Sequence, residues 1–342
     1  MRTTGVTATP STATLVSVVV PAYNAAATLD ETLHSVRAQT HRALEIIVVD
    51  DGSSDDTSAI AERHRAEDPR VIVMRQGNAG VAAARNAGWR AAHAKLIAFI
   101  DADDLWAPTK IERQLQALER AGPKAGLVYC WTARLHEDGT VLRYHGGIRV
   151  EGDALSRIIR SNYIGSGSNV LVRREALQDA DGFDTRLHQA NAQGCEDWLF
   201  SCRVAETYDF TCVPEYLVGY RYREASMSGN RVQMLKSHML MCDTLLERRP
   251  DLRTGLLSGL QSYCVWLLKD AINSRDWAQL WPLWRTAWHK DCSMALRLVW
   301  REFLLDPARL LRDWARASPA PPVARSAVLG RPFLEDTART PP

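Results

Sequence analysis

No run of apolar residues in the chain approaches the ~20 needed to cross a bilayer as a helix, so no membrane-spanning segment is expected among its 342 residues. The opening MRTTGVTATPSTAT holds one Arg and no apolar core, unlike a secretory signal. A short disordered tail is expected over residues 1–14. Cys-x-x-Cys pairs are missing too. The seven Cys are scattered and odd in number, which gives a structural zinc site little support and points to free, buried thiols in a reducing cytoplasm. No G-x-G-x-x-G follows the first strand pattern, which disfavours a Rossmann dehydrogenase. There is no internal repeat. A strong charge imbalance is also lacking, since 42 Lys and Arg face 40 Asp and Glu. The charge is uneven, however: 25 against 29 in the first 230 residues and 17 against 11 from Arg231 onward. That basic excess is too diffuse to argue for nucleic acid.

What is present is ordinary globular composition, 46% hydrophobic and 24% charged, in a chain too long for one small domain. The first third alternates strand and helix patterns. Apolar runs at 16–20, 45–49, 71–74 and 96–100 predict strands, the first two of them buried. Between them lie helical stretches. Leu29, Leu33 and Val36 form one stripe, with Thr28 and Glu31 as a capping box. An Ala-rich helix should open at Asn78-Ala-Gly80, and Pro108 suits a first helical position. A fifth strand is expected at 126–132, a hairpin turn at Asp138-Gly139, and short strands at 169–172 and 217–222. This rhythm predicts an α/β fold, a mostly parallel sheet flanked by helices, followed by a mainly helical C-terminal region. Ligands bind such sheets beyond the carboxyl ends of the strands.

Acids concentrate at those ends. Asp50-Asp51-Gly52-Ser53 closes the second strand. It reads either as a strand-to-helix cap or as a carboxylate that accepts an imide N–H. Asp101-Ala-Asp103-Asp104 closes the fourth. Carboxylates this crowded repel one another unless a cation joins them, and hard oxygen ligands suit Mg²⁺ or Mn²⁺ beside a phosphate. The bland alternative is a solvated acidic turn. Gly80 and the helix start after it offer free N–H groups to an anion or ribose, with Arg85 placed to reach a phosphate, although an Ala-rich helix can be mere packing. Glu196-Asp197 precedes Trp198 at another helix start. A carboxylate there could act as general base for a sugar hydroxyl, or merely favour the helix dipole.

The set Pro21–Asn24, Val49–Ser53, Asn78–Gly88, Asp101–Asp104 and Gly194–Trp198 resembles the family 2 glycosyltransferases over residues 15–230. The resemblance implies a GT-A fold and inverting transfer of a sugar from a nucleotide-diphosphate donor, UDP above all, to a hydroxyl of a glycan or lipid-linked acceptor, with a divalent metal. It implies that Asp51 binds the nucleobase and that Pro21, Ala22 and Tyr23 line the nucleotide. Asn78, Gly80 and Arg85 fall in the nucleotide-contacting segment. Asp101, Asp103 and Asp104 match the metal element, with Asp103 facing the ribose and Asp104 as the most direct ligand. Asp197 matches the base, with Glu196 beside it. Arg223 stands where members often carry His, and could hold the diphosphate. Cell-envelope polysaccharide synthesis is the family setting. The domain reading that follows is a catalytic domain at 15–230 (nucleotide half 15–132, acceptor half 133–230). A Trp-rich helical region at 231–317 and a flexible tail at 318–342 complete it.

Two alternatives stay open: a non-catalytic nucleotide-sugar-binding module of the same fold, and a nucleotide-sugar pyrophosphorylase. The second would want a Gly-rich basic phosphate loop where Pro21-Ala-Tyr-Asn24 stands. Trp277, Trp281, Trp284 and Trp288 recur on one helical face, accompanied by Arg285 and Lys290. They read as a packed stripe, or as an interfacial helix placing the protein peripherally on the inner face of a membrane. Pro282 predicts a break or restart there.

Overall fold

The computed structural model describes residues 14–144, 147–222, 229–290 and 332–336. Arg223, the distal part of the helical region from 291 and most of the expected tail lie outside the described residues.

Nine strands form one sheet in the order β3-β2-β1-β4-β8-β6-β9-β5, with β7 added to β6. Strands β1 (Val16–Ala22), β2 (Leu44–Asp50), β3 (Val71–Arg75) and β4 (Leu96–Phe99) pair in parallel, as their apolar runs predict. Helices α1 (Leu29–Arg37), α2 (Thr57–Glu67) and α3 (Val81–Ala91) connect them. Both faces of β1, β2 and β4 are dry, whereas β3, at the edge of the sheet, buries only Val71 and leaves Ile72 exposed. Val18, Val20, Ile46 and Val48 enter one core, while Val19, Ile47 and Val49 enter the other.

Beyond β4 the sheet is mixed. Strand β5 (Leu105–Trp106) and helix α4 (Lys110–Ala121) lead into β6 (Ala125–Leu135) and β7 (Val141–Tyr144), joined by the Asp138-Gly139 turn. Helix α5 (Leu155–Ile158) precedes β8 (Val170–Arg173), which runs antiparallel between β4 and β6. Helices α6 (Arg174–Asp179), α7 (Arg186–Gln189) and α8 (Glu196–Ala205) follow, and then β9 (Asp209–Arg221). The expected strand at 217–222 is only the end of β9, which pairs with β6 in parallel through shifts of register near Trp131.

Two local expectations are corrected. Thr28 makes no side-chain cap: its hydroxyl turns to the Ala25 carbonyl, and Glu31 pairs with Arg221, 2.6 Å from its guanidinium. Helix α4 starts at Lys110 with Thr109 at its cap, so Pro108 lies before the helix; its carbonyl accepts the Thr40 N–H.

Helices α9 (Arg231–Arg248), α10 (Arg253–Asn273) and α11 (Leu280–Lys290) share a core with the sheet. Helix α10 comes so close to α5 that a Cβ on Gly259 would stand 2.6 Å from the Ile159 carbonyl oxygen. Helix α11 starts two residues before Pro282, where the missing N–H costs nothing. It buries Leu283 and Ala287, and leaves Trp281 and Trp288 exposed. Trp281 stacks on Trp284, which tilts against Trp288. A last short helix, α12 (Phe333–Asp336), falls within the expected flexible tail, yet its Phe333 is buried against Gly219 and donates its N–H to the Gly139 carbonyl.

Candidate active site

The carboxyl ends of β1, β2 and β4 open on one cleft of about 860 Å³. Its first wall is the end of β1. Pro21 and Ala22 continue the strand, and Tyr23 stands 53% exposed beyond it. Asn24 turns the chain at φ 47°, a left-handed conformation that Asn tolerates. Its side-chain oxygen accepts the Ser54 N–H at 2.9 Å, which ties the β1 and β2 loops together.

Asp51 lies at the back of this wall, 2% exposed. Its carboxylate accepts from the Gln76 side chain (2.7 Å) and from the N–H groups of Ala79 (2.9 Å) and Gly80 (2.8 Å). A carboxylate offers about four lone-pair positions, so one remains. Gly80 is the cap of α3 at φ 88°, and a Cβ there would stand 2.6 Å from the His188 ring. Asn78 and Gly80 both face the cleft.

The floor is the turn after β4, closed by the Asp104 N–H on the Asp101 carbonyl. Asp101 and Asp103 line the cleft; Asp104 does not. The expected metal ligand Asp104 is fully buried behind the floor. One of its oxygens lies 2.5 Å from the Ser168 hydroxyl and the other accepts the Arg221 N–H at 3.4 Å. Burial first, then the charges of Asp103 and Asp101, push its carboxyl well above the usual range. The physical reason for the correction is chain direction: Asp104 leads into Leu105 and Trp106, both buried, so its side chain is carried into the core.

Arg85, also expected to meet phosphate, lies beneath the floor with its guanidinium on Asp101 at 2.5 Å. Burial opposes its charge, but Asp101, Asp197 and Glu196 together keep it firmly protonated. The opposite wall begins at α8. Glu196 accepts the Gly194 N–H, and its other oxygen is buried without a hydrogen bond. Asp197 accepts the Trp198 N–H at 2.7 Å. Shielding from water pushes the Asp197 pKa up to about 6 against the pull of Arg85, with Glu196 and Asp101 adding to the rise.

Thus every expected site residue among the described residues borders this one cleft except Asp104. Motif reading missed Ser168, which accepts the Asp101 N–H while bonding Asp104, and Arg221, which binds the Asp103 carbonyl. It also missed Tyr263 and Trp266, on the far wall from α10. Aromatic spacing on a helix was the only signal for the latter pair. A separate grouping of Asp30, His34 and His64 has metal-ligand chemistry. Arg63 and Arg37 already occupy its carboxylate and its buried imidazole, so it is built as an ion cluster.

The sequence model for glycosyl transferase family 2 matches residues 17–180, from β1 through α6. Over that stretch the chain is similar to the family 2 glycosyltransferases. An uncharacterized glycosyltransferase of Nostoc sp. is 25% identical over 309 residues, 87% of this chain and 88% of the relative. The Escherichia coli UDP-Glc:alpha-D-GlcNAc-diphosphoundecaprenol beta-1,3-glucosyltransferase WfaP is 40% identical over 106 residues, 31% of this chain and 41% of the relative. This chain therefore aligns with less than half of the length of that second relative. Among solved structures, S. aureus TarS in complex with UDP-GlcNAc has a TM-score of 0.64 at 16% identity, over 89% of this chain and 90% of that one. The mannosyltransferase PcManGT from Pyrobaculum calidifontis, in complex with GDP-Man and Mn2+, has a TM-score of 0.56 at 21% identity, over 90% of this chain and 81% of that one. These two likenesses establish the GT-A fold around the family 2 domain.

Proposed function

We propose that the chain is an inverting glycosyltransferase. It takes a sugar from a nucleoside-diphosphate donor, UDP by preference, and passes it to a hydroxyl of a glycan or lipid-linked acceptor. The observation that carries this reading is the single cleft bordered by Asp51, Asp101, Asp103 and Asp197. These acids come from three separate stretches of chain, and a nucleotide sugar is long enough to meet all of them.

The nucleoside lies at the β1–β2 end. The remaining lone pair of Asp51 accepts an imide N–H, which uracil provides and which thymine and guanine can imitate. Tyr23 offers a ring face, and Asn78 and Gly80 offer polar groups to the ribose. Asp101 and Asp103 fit a hard divalent cation, since their charges crowd each other and Asp104 behind them. Mg²⁺ or Mn²⁺ held there would neutralise the leaving diphosphate. Arg223 is proposed as a further diphosphate contact.

Asp197 is the base. A pKa of about 6 leaves it mostly ionised at neutral pH and still basic enough to take a hydroxyl proton. Its hydrogen bond from Trp198 fixes the carboxylate. As the proton moves to Asp197, the acceptor oxygen attacks the anomeric carbon and the nucleoside diphosphate departs from the opposite face. Glu196 keeps the local charge negative, and Arg85 prevents Asp101, Glu196 and Asp197 from repelling one another apart. In this reading residues 15–132 form the nucleotide half of a catalytic domain at 15–230, with the acceptor half at 133–230. The lipid-linked acceptor in the name of WfaP supports a setting in cell-envelope glycan synthesis. No helix among the described residues is long and apolar enough to cross a membrane. The exposed Trp277, Trp281 and Trp288 favour peripheral contact if the acceptor is lipid-linked.

The test is a thermal-shift panel of UDP, GDP and dTDP with and without Mn²⁺, followed by nucleotide release from the matching sugar donors. No shift with any nucleotide would remove the reading. Nucleotide binding without any turnover would leave the binding-module alternative.

A further inference from the structure

The far wall of the cleft has a feature that the transfer chemistry leaves unused. Trp266 is a large aromatic side chain, 56% exposed on a helix whose neighbouring apolar positions, Leu267 and Leu268, are buried. It borders the same cleft as Asp51 and Asp197. It is also held in place. Tyr263, one turn earlier on α10, stacks under it with ring centroids 5.7 Å apart and an interplanar angle of 18°. Tyr263 in turn meets the edges of Trp198 and His238 at 5.6 and 4.7 Å, and those two rings stack on each other at 4.4 Å. The indole N–H of Trp198 is anchored on the Ile158 carbonyl at 2.7 Å. A continuous aromatic column therefore runs from the residue after Asp197 to the mouth of the cleft.

The order of groups along the cleft gives this column its meaning. Asp51 and Tyr23 stand at the ends of β2 and β1. Asp101 and Asp103 follow β4, the next strand in the sheet. Arg85 links Asp101 to the field of Asp197 and Glu196. Tyr263 borders the cleft close to Asp197, whose charge, after burial and Cys195, helps to push its phenol upward. With Asp197 taken as the base, the column built on Trp198, the next residue, starts at the reacting end of the donor.

We infer that Trp266, backed by Tyr263, is a stacking platform for the pyranose ring of the acceptor, on the side of Asp197 away from the nucleotide. An exposed indole face presents a flat, polarisable surface to the C–H groups of a sugar, and pre-stacking on Tyr263 removes the cost of ordering it. The inference rests on the glycosyltransferase reading and adds to it which part of the chain grips the acceptor: α10, outside the matched family region. Trp266 is a specificity-determining residue here, with no part in proton transfer.

The test uses the full chain loaded with UDP and Mn²⁺. Methyl and octyl β-glucopyranosides and N-acetyl-β-glucosaminides serve as probes, read by saturation transfer from protein to the sugar C–H protons. The wild type should transfer saturation to the pyranose protons of both series. Trp266→Ala should weaken binding about tenfold, the order expected for losing one stacked ring. Trp266→Phe should restore part of it, and Trp277→Ala, equally exposed but away from the cleft, should change nothing. All variants should keep the UDP-induced rise in melting temperature. The platform is overturned if UDP binds and the wild type transfers saturation to no glycoside, if Trp266→Ala transfers as well as wild type, or if only the octyl chain is contacted. Glycoside binding lost in Trp266→Ala, in a protein that ignores UDP, would support the sugar platform and overturn the glycosyltransferase reading instead.

Discussion

The pKa of Asp197 is the most exposed quantity in the proposed mechanism, because three neighbours set it. Burial lifts it from 3.8 to about 6, with Glu196 and Asp101 helping and Arg85 opposing. The base works only when ionised. About nine-tenths of the molecules are then competent at pH 7 and about one-tenth at pH 5, so kcat/KM should fall on an acid limb centred near 6. Glu196→Gln removes a like charge and should move that limb to lower pH. Arg85→Gln removes the opposing cation and should move it up by about one unit. Asp197→Asn should abolish the limb and cut turnover by about 10²–10⁴-fold, while the UDP-induced thermal shift survives. The assay is nucleotide release against pH at saturating Mn²⁺, so that loss of metal in acid does not imitate the limb. Circular dichroism on each variant separates a shifted limb from a damaged fold. A limb that stays in place in both Glu196→Gln and Arg85→Gln would refute the reasoning, as would an active Asp197→Asn.

Three further outcomes follow from buried groups. Asp104→Asn should leave metal-dependent turnover largely intact, because Asp101 and Asp103 face the cleft. Asp104→Ala should cost about 1–3 kcal/mol of stability by leaving the Ser168 and Arg221 donors unpaired; an Asp104→Asn protein that folds normally but loses its metal response would contradict this. Lys110 is fully buried, 3.9 Å from the Trp106 ring centroid, and burial lowers its pKa to about 8. Its folded value lies below its unfolded one, so the cost of burying the charge is full below pH 8 and relieved as pH rises toward 10. Lys110→Met should therefore raise the melting temperature at pH 7, by up to about 3 kcal/mol in stability, and flatten the pH dependence between 8 and 10; a comparable drop at pH 7 and pH 9 would count against it. Phe333→Ala, or truncation before residue 332, should lower the melting temperature by several degrees, because a buried Phe typically contributes about 3 kcal/mol; an unchanged melt would show that the docked Phe333 contributes nothing.

Sequence patterning reached the parallel half of the sheet because each run there is short and apolar, and all but the edge strand β3 are buried on both faces. Little else competes to explain VSVVV or EIIVV. It failed at β9 for an equally local reason. Pro214 and Glu215 interrupt its apolar pattern, yet the strand tolerates them by shifting register against β6 near Trp131. The place of β8 between β4 and β6 could not be read at all. Strand order is decided by which edges remain after the parallel half has formed, and no residue type encodes that. Phe333 was hidden by its Pro-, Ala- and Arg-rich surroundings, where a single aromatic residue gives no periodic pattern to read.

At the cleft, the rim was readable and its support was not. Acids grouped at two strand ends and at the start of α8 stand out from sequence as a set, and Asp51, Asp101, Asp103 and Asp197 belong to it. Which of three neighbouring carboxylates turns outward depends on the residues that follow. Leu105 and Trp106 enter the core and pull Asp104 in with them, so the apolar pair after the acids was the available signal. Arg85 shows the harder limit. A cation one turn into an Ala-rich helix looks like a phosphate ligand, but the acids it meets come from the turn after β4 and from α8, far apart in sequence. Only the folded sheet reveals that neutralising Asp101 and Asp197 together is the more pressing task for that guanidinium. A bound diphosphate would then have to compete for Arg85 against the Asp101 carboxylate it already holds, which is why a cation on Asp101 and Asp103 and an Arg held beneath them are complementary parts of one site.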